Sequence, residues 1–150
     1  MRVGSEHEIH GIRATPFSRV AAAVLFMAFA PQLARPQSPK VIEVLADHDS
    51  RFKIAGQKDP TITVRAGEQV TLRITAIKAK DHNRDGSIHG FSLLRAKDRS
   101  HVAGWDLLLK PGTQEFTLTA PADPGEYVVV CTVICSSDHE GMHMRFVVSP

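Results

Sequence analysis

Two thiols, an imidazole and a thioether lie within twelve residues of this sequence. They belong to Cys131, Cys135, His139 and Met142, and the two cysteines are the only ones in the chain of 150 residues. In an oxidising compartment two cysteines ordinarily form a disulfide. Cysteines four positions apart close a very small ring, so a disulfide here would constrain the unfolded chain little. It would also leave the histidine and the methionine without a role.

The chemistry of these four side chains favours copper. Structural zinc sites use thiolate and imidazole ligands in a tetrahedron, and methionine is a poor zinc ligand. Soft thiolate and thioether sulfur suits Cu(I), and imidazole binds copper in both oxidation states. A copper site is therefore favoured, with a metal-free disulfide as the alternative.

A copper site in this chain needs a second imidazole, and His89 is the best candidate. It begins a predicted strand, and Gly90 after it allows other backbone to approach closely. Five other histidines have polar or N-terminal surroundings that favour a solvated side chain: His7, His10, His48, His101 and His143.

The ligands fit either one copper ion or two. A mononuclear blue site takes one cysteine, two histidines and a weak axial methionine. These would be Cys135, His139, His89 and Met142. That arrangement leaves Cys131 as a free thiol beside copper, which is open to oxidation. Two thiolates that bridge two coppers avoid this liability, because both sulfurs are then ligands.

The segments that must position these residues have the period of β-strands. Val70, Leu72 and Ile74 alternate with polar residues, so one face of that strand is apolar. Further strands are predicted at 41–45, 52–54, 61–64, 89–94, 114–119, 125–131 and 143–148. Short strands in a domain of about 110 residues predict an all-β fold, a two-sheet Greek-key sandwich.

The N-terminus, residues 1–34, predicts a signal peptide or an N-terminal anchor. Its apolar run, Val20–Ala30, has eleven residues, fewer than the about 20 that a bilayer span needs. Pro31 directly follows a small-x-small cleavage pattern and should hinder the peptidase, so cleavage and retention both stay open. Residues 35–39 are a proline-rich linker to a folded domain at 40–150. We expect that domain in the periplasm or on the outer face of the cytoplasmic membrane.

The charges give no reason to expect nucleic acid or an anionic membrane as a partner. The chain has 18 basic and 16 acidic residues, a formal net charge of +2, and the two signs are interspersed.

The loop Asp81–Ile88 matches the first eight positions of a calcium-binding loop. However, Ser92 occupies the twelfth position in place of glutamate, and a polar loop without an ion is the preferred interpretation.

The metal-ligating pattern resembles the binuclear copper-A domain of cytochrome c oxidase subunit II, which nitrous oxide reductase shares. The common features are Cys-x3-Cys-x3-His-x2-Met and an upstream His-Gly-Phe, here Cys131 to Met142 and His89 to Phe91. The resemblance extends over roughly 40–150 and includes 63–70 and 124–128. It implies a cupredoxin Greek-key β-sandwich that holds two copper ions.

The resemblance also implies how the coppers are held. Cys131 and Cys135 would bridge the two ions. One ion would be completed by His89 with Met142, and the other by His139 with the backbone carbonyl of Val133. No ligand position is left for a small-molecule substrate, which implies electron transfer rather than catalysis. The partner would be a redox protein, either a cytochrome c-like donor or a terminal oxidase or reductase.

Several positions depart from that family. Val133 stands where oxidases usually have glutamate and the reductase has tryptophan, and Ser136 stands where glycine is common. The chain has one short apolar run where subunit II has a transmembrane hairpin. Its only tryptophan and tyrosine are Trp105 and Tyr127, and we expect Tyr127 in the core. These departures favour a free-standing copper-A domain.

Two other functions remain in competition. A periplasmic copper carrier or assembly factor would bind a single copper and pass it on through Met142, His143 and Met144. A structural module would bind no metal. For the electron-transfer site we expect apolar surroundings from Phe91, Val133 and Ile134.

Overall fold

The computed structural model describes residues 39–78 and 81–150. Within these ranges the chain forms nine strands: β1 Lys40–Asp47, β2 Arg51–Lys53, β3 Thr61–Arg65, β4 Gln69–Ala76, β5 His89–Arg95, β6 His101–Leu109, β7 Gly112–Thr119, β8 Gly125–Val130 and β9 His143–Ser149. One 3-10 turn, His139–Gly141, precedes β9. The predictions for residues 1–34, for His7 and His10 within them, and for linker residues 35–38 lie outside the described residues.

The strands form two sheets that pack face to face. The first sheet has the order β2-β1-β4-β7 and the second has the order β3-β9-β8-β5-β6. β1 runs parallel to β4, β3 runs parallel to β9, and the other neighbours are antiparallel. The predicted all-β sandwich is thereby confirmed. No helix in the described ranges is long and apolar enough to cross a membrane.

Alternating side chains explain why the two sheets pack. In β4 the apolar residues Val70, Leu72 and Ile74 are fully buried, while the residues between them face outward. In the second sheet the ring of Phe146 packs edge-on against the rings of Trp105 and Tyr127. The buried Tyr127 donates its hydroxyl hydrogen bond to the carbonyl of Asp123 at 2.8 Å, so it lies in the core as expected.

Strand β6 is absent from the sequence prediction. Of its nine residues only Trp105 and Leu109 are buried, because β6 lies at the edge of the second sheet. Gly104 has a φ of 80°, and the pairing with β5 shifts register between Ser92 and Leu94. This bulge interrupts the period-two pattern. The other strands lie within a few residues of their predicted bounds.

Strand β5 positions the start of the candidate site. Six of its seven residues, His89–Leu94, are buried, and β5 lies between β8 and β6. A Cβ atom on Gly90 would clash with the Thr132 hydroxyl oxygen and would lie 2.7 Å from the Thr132 nitrogen. Only glycine therefore lets the chain after β8 pass this close to β5.

Candidate metal centre

His89, Cys131 and Cys135 meet at one end of the sandwich. A ring nitrogen of His89 and the two sulfur atoms all lie within 4.8 Å of one another, and all three residues are buried. His89 begins β5, and both cysteines lie in the loop from β8 to β9. Among the described residues this is the one group of three or more histidine, cysteine or acidic side chains that could hold an ion.

The two sulfurs face each other without a covalent bond. Cys131 Sγ and Cys135 Sγ are 3.8 Å apart, and both cysteines are free thiols. Cys131 Sγ donates to the carbonyl of Val133 at 3.2 Å and accepts a hydrogen bond from Gly90 N at 3.3 Å. The Val133 carbonyl, a predicted ligand, thus lies against the Cys131 sulfur.

The imidazole of His89 is oriented by the carbonyl of Ile77. Nε2 lies 3.1 Å from that oxygen, and a carbonyl only accepts, so Nε2 must carry the hydrogen. Burial lowers the pKa of His89 and keeps the ring neutral, which leaves the lone pair on Nδ1. Nδ1 is buried without a hydrogen-bond partner among the described residues. Such a nitrogen costs free energy unless something binds it.

The thiol of Cys135 lies in surroundings that oppose its ionisation. Burial raises its pKa to about 11, with a further contribution from Cys131. Without a cation, the Cys135 sulfur would stay protonated; a soft metal ion would hold it as a thiolate. Two sulfurs and an unprotonated imidazole nitrogen are the donor set that copper prefers. The residues present therefore fit copper.

Met142 contacts the cysteine segment through its backbone, whereas His139 is set apart from the three-residue group. Met142 is fully buried, and its carbonyl accepts a hydrogen bond from Cys131 N at 3.0 Å. His139 is half-buried and lies outside the group formed by His89 and the cysteines. Its Nδ1 donates to the carbonyl of Ser136 at 3.0 Å, so the lone pair of a neutral ring is on Nε2.

The apolar surroundings are partly as predicted. Phe91 and Val133 are buried, but Ile134 has 68% of its surface exposed and does not line the site. Burial alternates along this segment, so Val133 and Cys135 are buried while Ile134 between them is exposed. Three histidines predicted to be solvated are exposed: His48, His101 and His143. His82, for which no prediction was made, is exposed as well.

The loop Asp81–Ile88 satisfies its own polar groups. Asp85 Oδ1 accepts from the backbone nitrogen of Ser87 at 3.0 Å and from its hydroxyl at 2.7 Å. Asn83 N donates to the Ser87 carbonyl at 2.8 Å. The contact of Asp85 Oδ1 with Ser87 N is an Asx turn, which agrees with a polar loop. At its start, Asp81 N donates to the Cys135 carbonyl at 3.1 Å and ties this loop to the site.

Sequence reasoning missed Ser50. This serine is buried in the turn before β2, and its Oγ lies 2.6 Å from the Oγ of Ser136, which follows Cys135 in the sequence. Nothing in its neighbourhood, Asp47-His-Asp-Ser-Arg51, distinguishes it from an ordinary polar turn. The one available signal was Ser136, which stands where the copper-A pattern commonly has glycine.

No family model matches the chain, and no curated protein matches its sequence. Among solved structures it is similar to dithionite-reduced auracyanin from Roseiflexus castenholzii, with a TM-score of 0.51 and 20% identity over 76% of this chain and 100% of that one. It is also similar to auracyanin A from Chloroflexus aurantiacus, described as a blue copper protein, with a TM-score of 0.50 and 22% identity over 75% and 100% of the two chains. At these identities the likeness establishes the architecture: the chain folds as a cupredoxin-type β-sandwich.

Proposed function

We propose that this protein is an exported copper protein that transfers electrons through a binuclear, copper-A-type centre. Cys131 and Cys135 bridge the two ions. The remaining ligands are His89 with Met142 on one ion, and His139 with the Val133 carbonyl on the other. The observation that carries the proposal is the buried pair of sulfurs, 3.8 Å apart, beside a His89 Nδ1 without a hydrogen-bond partner.

Two coppers are favoured over one because both sulfurs occupy the same site. A mononuclear centre would use one cysteine and leave the other thiol outside it. Instead, Cys131 and Cys135 both lie within 4.8 Å of the His89 ring nitrogen. The Val133 carbonyl is in contact with Cys131 Sγ, so a backbone ligand is already beside the sulfur that would be shared.

The protein residues give the site the properties that electron transfer requires. Bound copper would supply a one-electron couple. Gly90 N and the Ile77 carbonyl fix Cys131 Sγ and the His89 ring, so the ligands would move little when the charge changes. Phe91 and Val133 exclude water from the inner side. No ligand is left over to bind a substrate, and the partner is therefore a redox protein such as a cytochrome c-like donor or a terminal oxidase or reductase.

Copper titration of the reduced domain tests the proposal. We expect two coppers per chain, a purple absorption, and an electron paramagnetic resonance pattern from two equivalent nuclei. Cys131→Ser should abolish that signal, because only one sulfur then remains to be shared. His101→Ala, which alters an exposed histidine bonded to Asp106, should leave it unchanged. A normal signal in Cys131→Ser would rule out the bridging arrangement.

A copper carrier is the second candidate, and the position of His139 favours it. Three ligands are gathered, while His139 is bonded to the Ser136 carbonyl, which suits a single Cu(I) held by His89 and the cysteines. Against it, Met142 and Met144 are buried and could not receive the ion at the surface. One copper per chain that a Cu(I) chelator removes rapidly would establish the carrier in place of the electron-transfer protein.

A further inference from the structure

Ser92 is a polar residue in the middle of a buried strand. It lies in β5 between the apolar residues Phe91 and Leu93, and only 1% of its surface is exposed. On the neighbouring strands it is directly opposite Asp106 of β6 and Val130 of β8. A buried hydroxyl costs free energy unless it has a hydrogen-bond partner, so a serine at this position requires one.

The partner of Ser92 is Thr132, the second residue after β8. Thr132 Oγ1 lies 3.1 Å from Ser92 Oγ. β8 ends at Val130, and the chain then passes close to β5. Gly90 leaves room for this passage, since a Cβ atom there would lie 2.7 Å from Thr132 N. The two hydroxyls therefore join the loop to β5 where the backbones approach each other.

Thr132 separates two of the candidate copper ligands. The Cys131 sulfur precedes it, the Val133 carbonyl follows it, and these two groups are 3.2 Å apart. The sulfur also accepts a hydrogen bond from Gly90 N at 3.3 Å. The peptide units on both sides of Thr132 are planar. Anchoring Thr132 therefore positions the Cα atoms from which the Cys131 side chain and the Val133 carbonyl extend.

We propose that Ser92 and Thr132 are positioning residues, whose hydroxyl pair holds the Cys131 sulfur and the Val133 carbonyl in the arrangement that the copper centre needs. This inference rests on the proposed function and deepens it. Neither hydroxyl is a ligand; each acts through the backbone on which the ligands are carried. Residues that orient metal ligands in this way typically contribute about 10- to 100-fold to metal affinity.

Hydrogen exchange in the reduced, copper-free protein tests the hydroxyl pair without any metal. Thr132→Val keeps the shape of an exposed side chain and removes its hydroxyl, whereas Thr132→Ser keeps the hydroxyl. The Gly90 amide reports on the loop because it is bonded to Cys131 Sγ. It should exchange about fivefold faster in Thr132→Val and in Ser92→Ala, and at the wild-type rate in Thr132→Ser. The double variant Ser92→Ala, Thr132→Val should exchange no faster than either single variant, because both remove the same contact.

Copper binding then tests the role of the pair in the site. Thr132→Val and Ser92→Ala should each weaken copper binding about tenfold, measured by competition with a chelator. Their electron paramagnetic resonance pattern should no longer show two equivalent nuclei, and Thr132→Ser should restore both properties. The control is Thr75→Val, which removes a hydroxyl pair with Thr113 between β4 and β7 and should leave the affinity and the pattern unchanged.

The outcomes separate this inference from the proposed function. If Thr132→Val binds two coppers with wild-type affinity and pattern, or if Thr132→Ser is as impaired as Thr132→Val, the positioning role is overturned and the proposed function stands. A folding defect in Ser92→Ala would leave the two exposed Thr132 variants to decide the test. If the wild-type protein takes up no copper, the proposed function falls and the positioning role with it.

Discussion

Strand β4 and strand β5 bury their side chains in different ways. β4 alternates, with Leu72 and Ile74 inside and Arg73 between them exposed to solvent. β5 is buried on both faces over His89–Leu94. Part of its second face is covered by Thr132, whose hydroxyl contacts Ser92 Oγ at 3.1 Å.

The contrast between the two strands shows that the contacts that stabilise the fold lie around β4, while the residues of the candidate site lie at the start of β5. Around β4, apolar contacts hold the two sheets together. The exposed Arg73 pairs with Glu43 and Glu115 at the surface, and such pairs add little to the free energy of unfolding. At the site end of β5, heteroatoms replace apolar contacts. The His89 Nδ1 has no partner there among the described residues, and Ser50 has strained backbone. The site end therefore gives up stability that a bound ion would restore.

The largest effect is expected from the core of the first sheet. Leu72→Ala leaves a cavity at a fully buried position and should lower the free energy of unfolding by about 3–4 kcal/mol. Copper stoichiometry and absorption should not change at a temperature where the variant is folded. Leu108→Ala, at a half-exposed position, should alter stability by less than about 0.5 kcal/mol. Denaturant unfolding measures both, and a changed copper spectrum in Leu72→Ala would show that core and site are not separable.

The same contrast explains what the sequence could predict. Period-two patterns locate β4 and its neighbours because one face of each strand meets water. β6 was not predicted because it is an edge strand with few buried residues, and the bulge at Gly104 interrupts its alternation. The segment from Cys131 to Met142 was recognisable because its candidate ligands are close in the sequence, and His89 because Gly-Phe follows it.

Other parts of the site depend on contacts between distant segments. The bond from His89 Nε2 to the Ile77 carbonyl and the Ser50–Ser136 hydroxyl pair join segments through tertiary packing. A backbone carbonyl carries no residue-specific signal, and a serine in a polar turn is common. The hydrogen bond of His139 could not be predicted either. Its spacing in the sequence predicts a metal ligand, but only the structure shows that its ring bonds to the Ser136 carbonyl.

Copper binding should give the next largest effect. A ligand that binds the folded state alone stabilises it by about 2.7 kcal/mol at a concentration of 100 times its Kd. The midpoint of thermal unfolding should rise on copper addition under anaerobic conditions. The double variant Cys131→Ser, Cys135→Ser should show no rise, because the sulfur ligands are gone. An equal rise in that variant would place the copper elsewhere.

Gly90→Ala tests the close approach of β5 to the loop between β8 and β9. The added Cβ would lie 2.7 Å from Thr132 N, and backbone cannot move aside as a side chain can. We expect a loss of about 2 kcal/mol in the free energy of unfolding together with weaker copper binding, because Gly90 N also donates to Cys131 Sγ. Gly141→Ala is the matched control, since nothing lies within 4 Å of its Cβ position. If both variants bind copper equally well, the spacing at Gly90 is not what holds the loop.

The smallest effect concerns Asp47, which fixes the turn that carries Ser50. The hydrogen bond from Lys53 lowers the pKa of Asp47 from 3.8 to about 2. A carboxylate whose pKa is lowered by folding stabilises the fold at pH values above its ordinary pKa. That contribution is lost as the pH falls through the lowered pKa, here about 2. The contribution is at most about 2 kcal/mol, reduced by solvent screening at the exposed Lys53. The free energy of unfolding should therefore fall less steeply between pH 4 and pH 2 in Asp47→Asn than in the wild type, whereas Asp59→Asn, at an exposed position, should keep the wild-type slope. If Asp47→Asn keeps that slope too, the turn is held by its backbone bonds alone, and Ser50 owes its position to Ser136 and the Asp47 carbonyl.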